Sequence, residues 1–152
     1  ASGQQALLLF AAAAVAIVSP TGTGFNNLFV NDALSRFCKV VIFGAAGVSA
    51  LMAVTFSSDT FRRFEMPVLM IYAATGLSIM VSAQDLMTVY LGIELSSLSA
   101  YVLAAMRRDN LRASEAGLKY FILGALSSVI LLYGMSLVYG YTGGTSFEAV
   151  AA

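Results

Sequence analysis

The fold is decided by the segment Leu86-Met-Thr-Val-Tyr-Leu-Gly-Ile-Glu94-Leu-Ser-Ser-Leu-Ser-Ala-Tyr-Val-Leu-Ala-Ala-Met106. A helix that crosses a bilayer needs about 20 mostly apolar residues, and this segment is long enough to do so. Its only charged residue is Glu94, near the middle. A carboxylate at such a depth costs about 2.5–3.5 kcal/mol on insertion scales, and intramembrane acids are usually functional. Glu94 is therefore the first candidate for a functional residue.

Working outward from this segment, apolar runs predict spans at approximately residues 4–18, 37–56, 67–82, 86–106 and 114–141. Because unpaired backbone groups are prohibitive in lipid, these runs must be helices rather than open strands. We predict an all-α fold, a polytopic transmembrane helix bundle with about four to five spans, forming a single membrane domain over residues 1–152. Pro67 is expected to be the first helical residue of the third span. The first apolar run is short, so whether residues 1–18 form a full span is left open.

Composition supports a membrane protein and excludes several other classes. The chain is 59% hydrophobic and 11% charged, whereas soluble domains carry about 25% charged residues. The net charge is zero and no basic stripe is present, so nucleic acid is not an expected partner. With no His and one Cys, we expect neither a metal site nor a redox or catalytic centre in this chain. The chain begins with Ala, and we expect it to be a piece of a longer protein.

Positive charge predicts an orientation in the membrane. Two of the predicted connections contain arginines, namely Arg62 and Arg63 in one and Arg107, Arg108 and Arg112 in the other. The connections on the opposite side carry no Lys or Arg, apart from Arg36 and Lys39 at the mouth of the second span. The positive-inside rule therefore places the arginine connections in the cytoplasm or its topological equivalent.

Lys119 is the second candidate for a functional residue. It lies within the fifth span, and Glu115 lies four residues earlier on the same helical face, a favourable spacing for an ion pair. Lys119 could alternatively snorkel to the membrane interface, and Glu94 could serve helix packing alone. Ser96 and Ser97 beside Glu94, and Tyr120 beside Lys119, could hold water or hydrogen-bond across helices. Counting residues from the basic connection offsets Glu94 and Lys119 by roughly 10 Å in depth. We therefore expect a relay through water rather than a direct ion pair.

Three stretches of the sequence resemble a known family. They are Leu91-Gly-Ile-Glu94-Leu-Ser-Ser-Leu-Ser-Ala-Tyr101, Ser114-Glu-Ala-Gly-Leu-Lys119-Tyr-Phe-Ile-Leu-Gly-Ala-Leu-Ser-Ser128 and Leu132-Tyr-Gly-Met-Ser-Leu-Val-Tyr-Gly-Tyr-Thr-Gly143. Together they resemble the antiporter-like subunits of the respiratory NADH:quinone oxidoreductase, complex I, of the subunit N type. The resemblance is dense from about residue 65 to 147, and it covers only the N-terminal part of such a subunit.

The resemblance implies a larger antiporter-like fold of about fourteen helices, of which this chain would contain the early ones. It implies that Glu94 is the acidic partner of a pumping lysine on a later helix outside this chain, and that Lys119 contributes to a hydrophilic axis. The implied function is proton translocation coupled to electron transfer elsewhere in the complex. NADH, FMN, iron–sulfur clusters and quinone would be bound by other subunits, with no cofactor in this chain.

The same resemblance implies that the partners are other membrane subunits of complex I, both antiporter-like and small, in a bilayer. The implied location is the bacterial cytoplasmic (inner) membrane, with the mitochondrial inner membrane as the alternative. Two other functions stay open at this point. One is a subunit of a multi-subunit Na⁺/H⁺ antiporter, and the other is a membrane scaffold that transports nothing.

Overall fold

The computed structural model describes residues 2–56, 62–106 and 110–151. In chain order the helices are α1 (Ser2–Val18), α2 (Ala33–Phe56), α3 (Arg62–Met80), α4 (Leu86–Ala104), α5 (Leu111–Thr142) and the short α6 (Phe147–Ala151). Strands β1 (Gly22–Gly24) and β2 (Phe29–Asn31) form an antiparallel hairpin between α1 and α2. The predicted helical bundle is confirmed. The hairpin and α6 were not predicted from the sequence.

Three helical segments in the described part of the chain are long and apolar enough to cross a membrane. They are residues Ala33–Ala53 of α2, the whole of α4, and α5. The apolar parts of α1 and α3, Gly3–Val18 and Glu65–Met80, are shorter. At 1.5 Å per residue, α1 extends about 25 Å, slightly less than a typical hydrocarbon core of about 30 Å. Helix α5 extends about 48 Å and is long enough to reach beyond that core on either side.

Helices α1, α2 and α3 share a small apolar core. Ala6 and Leu9 of α1, Ala50 of α2 and Ala74 of α3 are buried together. In lipid, no hydrophobic effect drives helices together, so they associate through van der Waals contact at close range. Small residues such as these alanines allow that close approach.

Helix α3 packs on α4 through two glycines. A Cβ placed on Gly92 would lie 2.8 Å from the Gly76 carbonyl oxygen, and one placed on Gly76 would lie 2.7 Å from the Ser96 backbone nitrogen. Neither position can hold a larger side chain unless a backbone moves. This contact fixes the rotation of α4, and therefore determines which of its faces point toward α5.

The predicted position of Pro67 is wrong. Helix α3 begins at Arg62, so Pro67 lies inside it rather than at its first position. A proline lacks the N–H that would bond the carbonyl four residues earlier, which here belongs to Arg63 in the first turn. Because this bond is lost so close to the helix end, α3 continues through Pro67. Glu65 lies in the first turn, where a negative charge is favourable.

Candidate functional site

Glu94 lies halfway along α4 and is half-buried. In the described part of the chain, no hydrogen bond or ion pair reaches its carboxylate. An intramembrane carboxylate that has no protein partner must be satisfied by water, by a proton or by a group outside this chain. Its position therefore suits a carboxyl that exchanges a proton.

The contacts of α4 show which face of the helix carries Glu94. The Tyr90 hydroxyl lies 3.1 Å from Ser128 Oγ of α5, and the Tyr101 ring lies against Tyr120 of α5, with 4.7 Å between ring centroids. Glu94 is four residues after Tyr90 and seven before Tyr101, so all three belong to one stripe of the helix. Glu94 therefore lies on the α5 side of α4.

The part of α5 opposite Glu94 is built from small residues. Tyr101 packs so closely on Gly124 that a Cβ added to this glycine would clash with the tyrosine hydroxyl. Since Tyr90 meets Ser128 and Tyr101 meets Gly124, the segment between these two α5 residues lies level with Glu94. Hydroxyl-bearing residues in this segment can hydrogen-bond across the helices near the carboxylate.

The two serines that follow Glu94 lie on different faces of α4. Ser96 faces α3, because its Cβ and backbone nitrogen are neighbours of Gly76, and its hydroxyl donates to the Ile93 carbonyl at 2.9 Å. Ser97 is half-buried and lies three residues after Glu94, on the same stripe. Of the two serines, only Ser97 is placed to share water with Glu94.

Lys119 lies away from Glu94. Its ammonium pairs with Glu115 at 2.5 Å, and the side chains of Lys119 and Glu115 are 70% and 57% exposed, respectively. Gly117, which packs against Ala105 at the C-cap of α4, marks the α4-facing side of α5. Lys119 is two residues further on, about 200° around the helix. The ion pair therefore occupies the face of α5 opposite α4.

The axial offset between Glu94 and Lys119 agrees with the one counted from the sequence. Tyr120, next to Lys119, contacts Tyr101, which is seven residues after Glu94. Seven residues of helix correspond to roughly 10 Å. The structure therefore separates the two predicted residues both along the bundle axis and around α5, and it does not bring them together. Tyr120 lies at the edge of the contact between α4 and α5, where its ring packs against Tyr101.

Asp85 is a buried polar residue at the start of α4. It is the N-cap of α4, and its Oδ1 accepts the Thr88 N–H at 2.9 Å. Only 6% of Asp85 is exposed. The Thr145 hydroxyl donates to its Oδ2 at 3.4 Å, and the Thr145 carbonyl accepts the Leu86 N–H at 2.9 Å. The local spacing to Thr88 predicts the cap, but no local signal predicts a partner sixty residues away.

Residues 82–86 and 145–147 form a clasp with the hairpin, on the side predicted to lack arginine. The Val30 N–H donates to the Ser82 carbonyl at 2.8 Å and the Gln84 N–H to the Leu28 carbonyl at 2.9 Å. On its other edge, Gln84 accepts the Phe147 N–H at 3.1 Å. The clasp therefore ties the hairpin and the ends of α4 and α5 together at one end of the bundle.

The basic connection at the other end is described only in part. Arg107 and Arg108 lie outside the described residues, and Arg62 and Arg63 open α3 without described side chains. Arg112 is exposed in the first turn of α5, where the Asn110 side chain caps its N–H at 3.0 Å. Arg112 is thus at the end of the bundle opposite the clasp, on the side predicted to be cytoplasmic.

Comparison with known proteins shows which class the chain resembles. The family described as "NADH:quinone oxidoreductase/Mrp antiporter, TM" matches residues 83–152, which include α4, α5 and most of the clasp. The chain is thus a polytopic helical membrane protein with a part similar to the antiporter-like class.

Within that class, the predicted resemblance to subunit N of NADH-quinone oxidoreductase is confirmed. The chain is 54% identical to that subunit from Maricaulis maris over 94% of its own length, and 51% identical to subunit N 1 from Acidiphilium cryptum over 95%. It is 50% identical to the subunit from Rhodobacter capsulatus over 90%. The chain spans about 30% of the length of the curated relatives it matches.

Proposed function

We propose that this chain is part of a proton-translocating membrane subunit of NADH:quinone oxidoreductase, complex I, and that Glu94 is a proton-exchanging group in it. The observation that carries the proposal is a half-buried carboxylate halfway along a membrane-length helix, with no partner in the described chain. The identity to bacterial subunits N supports the assignment to complex I.

The chemistry follows from the position of the carboxyl group. Burial raises the free energy of a charged carboxylate, and a nearby cation lowers it, so a charge arriving on a neighbouring helix can drive a proton onto or off Glu94. Water held by the hydroxyl groups of Ser127 and Ser128 on α5 would carry this proton. Redox chemistry would take place in other subunits, which would bind NADH, FMN, iron–sulfur clusters and quinone.

Lys119 enters the proposal differently from the sequence-based expectation. Because its ion pair with Glu115 faces away from α4, we assign Lys119 to a contact with groups outside this chain. The charges of Glu94 and Lys119 would then influence each other electrostatically across α5, with no water chain joining the two side chains directly.

Partners and location follow from the same assignment. Other membrane subunits of complex I would cover the exposed faces of α5, and the complex would lie in the bacterial inner membrane. With the arginine connections in the cytoplasm, the clasp would face the opposite compartment.

The test replaces Glu94 in the full-length subunit within the purified complex, reconstituted in vesicles. Glu94→Gln is expected to slow proton transfer at this position by about 10²-fold or more, the usual loss when a proton-transferring side chain is removed, and so to lower the number of protons pumped per electron. NADH oxidation with a water-soluble artificial acceptor is expected to persist, because it bypasses the membrane arm. Glu148→Gln is the matched control, since Glu148 is an exposed carboxylate of α6. Unchanged pumping in Glu94→Gln would contradict the proposal and favour a scaffold.

A second function has specific support, because the matching family description also names Mrp antiporters. In that case the full-length protein would exchange Na⁺ for H⁺ without NADH. Imposing a Na⁺ gradient on vesicles and measuring internal pH separates the two. Exchange that is abolished in Glu94→Gln would favour the antiporter.

A further inference from the structure

A cleft lies at the clasp end of the bundle, between the hairpin and the beginning of α2. Its volume is about 410 Å³, and its lining includes Phe25, Phe29, Asn31, Lys39 and Ser82. Ser82 precedes the start of α4 at Leu86, and the eight helical residues from Leu86 to Glu94 already extend about 12 Å, so the cleft lies at least that far from Glu94 along the bundle axis. We propose that this cleft binds the phosphate group of an anionic phospholipid.

Lys39 supplies the positive charge in the cleft. Its ammonium donates to the Asn31 side-chain oxygen at 3.4 Å and forms no ion pair with any described carboxylate. An ammonium has three N–H donors, so donors remain for a ligand. Arg36 lies one turn earlier and adds a second positive charge, with its guanidinium donating to the Ser19 carbonyl at 3.2 Å.

Asp32 is the carboxylate whose charge acts on Lys39, and it partly offsets this positive charge. However, Asp32 Oδ1 is turned into the start of α2, where it accepts the Ser35 N–H at 2.7 Å. The two cations therefore outnumber the one carboxylate at this end of α2. The net positive charge of these three side chains favours an anionic ligand.

Ser82 provides a second, independent indication of a ligand. It is 3% exposed, and its hydroxyl has no hydrogen-bond partner among the described residues. Its backbone carbonyl is already used, accepting the Val30 N–H at 2.8 Å. A buried hydroxyl without a partner is unfavourable, and buried polar groups nearly always have one. A phosphate oxygen in the cleft would accept the bond that the hydroxyl lacks.

The rim of the cleft indicates a lipid rather than free phosphate. Phe25 is 81% exposed at the tip of the hairpin, and its ring packs edge-on against Phe29, with 5.6 Å between centroids. Exposed aromatic side chains are typical of the membrane–water interface. Lys39 lies six residues into α2, about 9 Å from its start, which suits headgroup depth. The cleft thus has a basic interior and an aromatic rim. A phospholipid fits this arrangement if its headgroup phosphate lies in the cleft and its acyl chains lie beside the aromatic rim.

The test measures the lipid retained by the whole complex after purification in mild detergent and exchange into vesicles of phosphatidylcholine with phosphatidylglycerol. Bound phosphatidylglycerol is counted by mass spectrometry. Lys39→Gln is expected to reduce retention at this site about fivefold, the usual effect of one basic residue near anionic lipid. Ser82→Ala is expected to reduce it as well, and Lys39→Arg is expected to preserve it. Arg112→Gln is the control, because it removes an equal charge from an exposed position at the other end of the bundle.

Three results would overturn the proposal. Equal loss of bound phosphatidylglycerol in Arg112→Gln and Lys39→Gln would mean that the protein attracts anionic lipid through its overall positive charge and not through a site at Lys39. Unchanged retention in Ser82→Ala, with no loss of stability, would mean that its hydroxyl has no ligand. Inorganic phosphate that raises the unfolding temperature of the wild-type complex but not of Lys39→Gln, without any change in bound lipid, would mean that free phosphate is the ligand. The first two measurements do not depend on proton pumping, so they stand apart from the proposed function.

Discussion

At the scale of single residues, Asp32 shows how a short sequence fixes a helix start. Its Oδ1 accepts the Ser35 N–H at 2.7 Å, and the Ser35 hydroxyl accepts the Asp32 N–H at 3.0 Å, so each residue caps the other. Hydrogen bonds donated to the Asp32 carboxyl by the Ser35 backbone N–H, and next by the Ser35 side chain, lower the pKa of that carboxyl below its ordinary value of 3.8. The charged form of Asp32 is therefore the form that the beginning of α2 stabilises.

The pKa shift predicts a pH dependence of stability. Because the pKa of Asp32 is lower in the folded state, its contribution is fully present above about pH 4 and is lost as the pH falls through the folded pKa. We expect the full-length subunit to lose stability relative to Asp32→Asn below about pH 4, as measured by denaturant unfolding in detergent. Glu148→Gln serves as a control at an exposed carboxylate. A stability difference between wild type and Asp32→Asn that stays constant from neutral to acidic pH would contradict this assignment.

The acidic residues also show which properties of a site the sequence can predict. Glu94 was predicted because the cost of an acid in lipid depends on the apolar length around it, which is a local property. The depth of Lys119 was predictable from residue counts for the same reason. Its direction was not, because rotation of α5 is set by Gly117 and Gly124 meeting Ala105 and Tyr101 of α4. The functional roles of Glu94, Lys119, Glu115, Ser96, Ser97 and Tyr120 stay predictions.

At the scale of helices, close approach between neighbours depends on glycine. Gly92 and Gly76 face each other across the α3–α4 contact, with less than 3 Å for any added Cβ. By contrast, a Cβ on Gly44 of α2 would meet nothing within 4 Å. The two positions have the same residue type and opposite surroundings, so they form a matched pair.

Gly92→Ala is expected to destabilise the full-length subunit by about 1–3 kcal/mol, because overpacking a close contact forces a backbone shift. Gly44→Ala is expected to leave stability unchanged or raise it by up to about 1 kcal/mol, since alanine favours helices more than glycine does. Denaturant unfolding of both variants in the same detergent provides the measurement. Equal stability of the two would show that α3 and α4 do not approach through their glycines.

The helices could be predicted from the sequence because a membrane-spanning helix must be apolar along its whole length. The hairpin could not be predicted in this way. Strands β1 and β2 are three residues each and have no apolar alternation to reveal them. The hairpin that they form is held to the bundle by hydrogen bonds that join Leu28 and Val30 to residues 82–84 of the clasp. Such a partner lies more than fifty residues away, so no local pattern contains it.

At the scale of the whole molecule, the two ends of the bundle differ in charge and in structure. The hairpin and clasp lie where α4 begins, and Arg112 lies beyond the point where α4 ends. Helix α4 separates these ends by about 27 Å. The molecule is therefore polarised along the membrane normal.

This polarity predicts accessibility from opposite compartments. In a Cys38→Ala background, a cysteine at Thr23 is expected to react with a membrane-impermeant maleimide added to intact cells. A cysteine at Leu111, which is 85% exposed, is expected to react only after the membrane is opened. Labelling is read by the mass shift of the full-length subunit. Reaction of both cysteines in intact cells would contradict the assigned topology. Reaction of the Leu111 position alone in intact cells would mean that the protein has the opposite orientation in the membrane.

The clasp also orders events in time during synthesis. The cap from Asp85 to Thr88 can form as soon as α4 is made, and the hairpin can then dock on residues 82–84. The Leu86 N–H and the Gln84 carbonyl must wait for Thr145 and Phe147. At translation rates of about 5–20 residues per second, that delay is roughly 3–12 s. During this interval the beginning of α4 is held on one side only, so the depth of Glu94 becomes final only when the ribosome has completed α5.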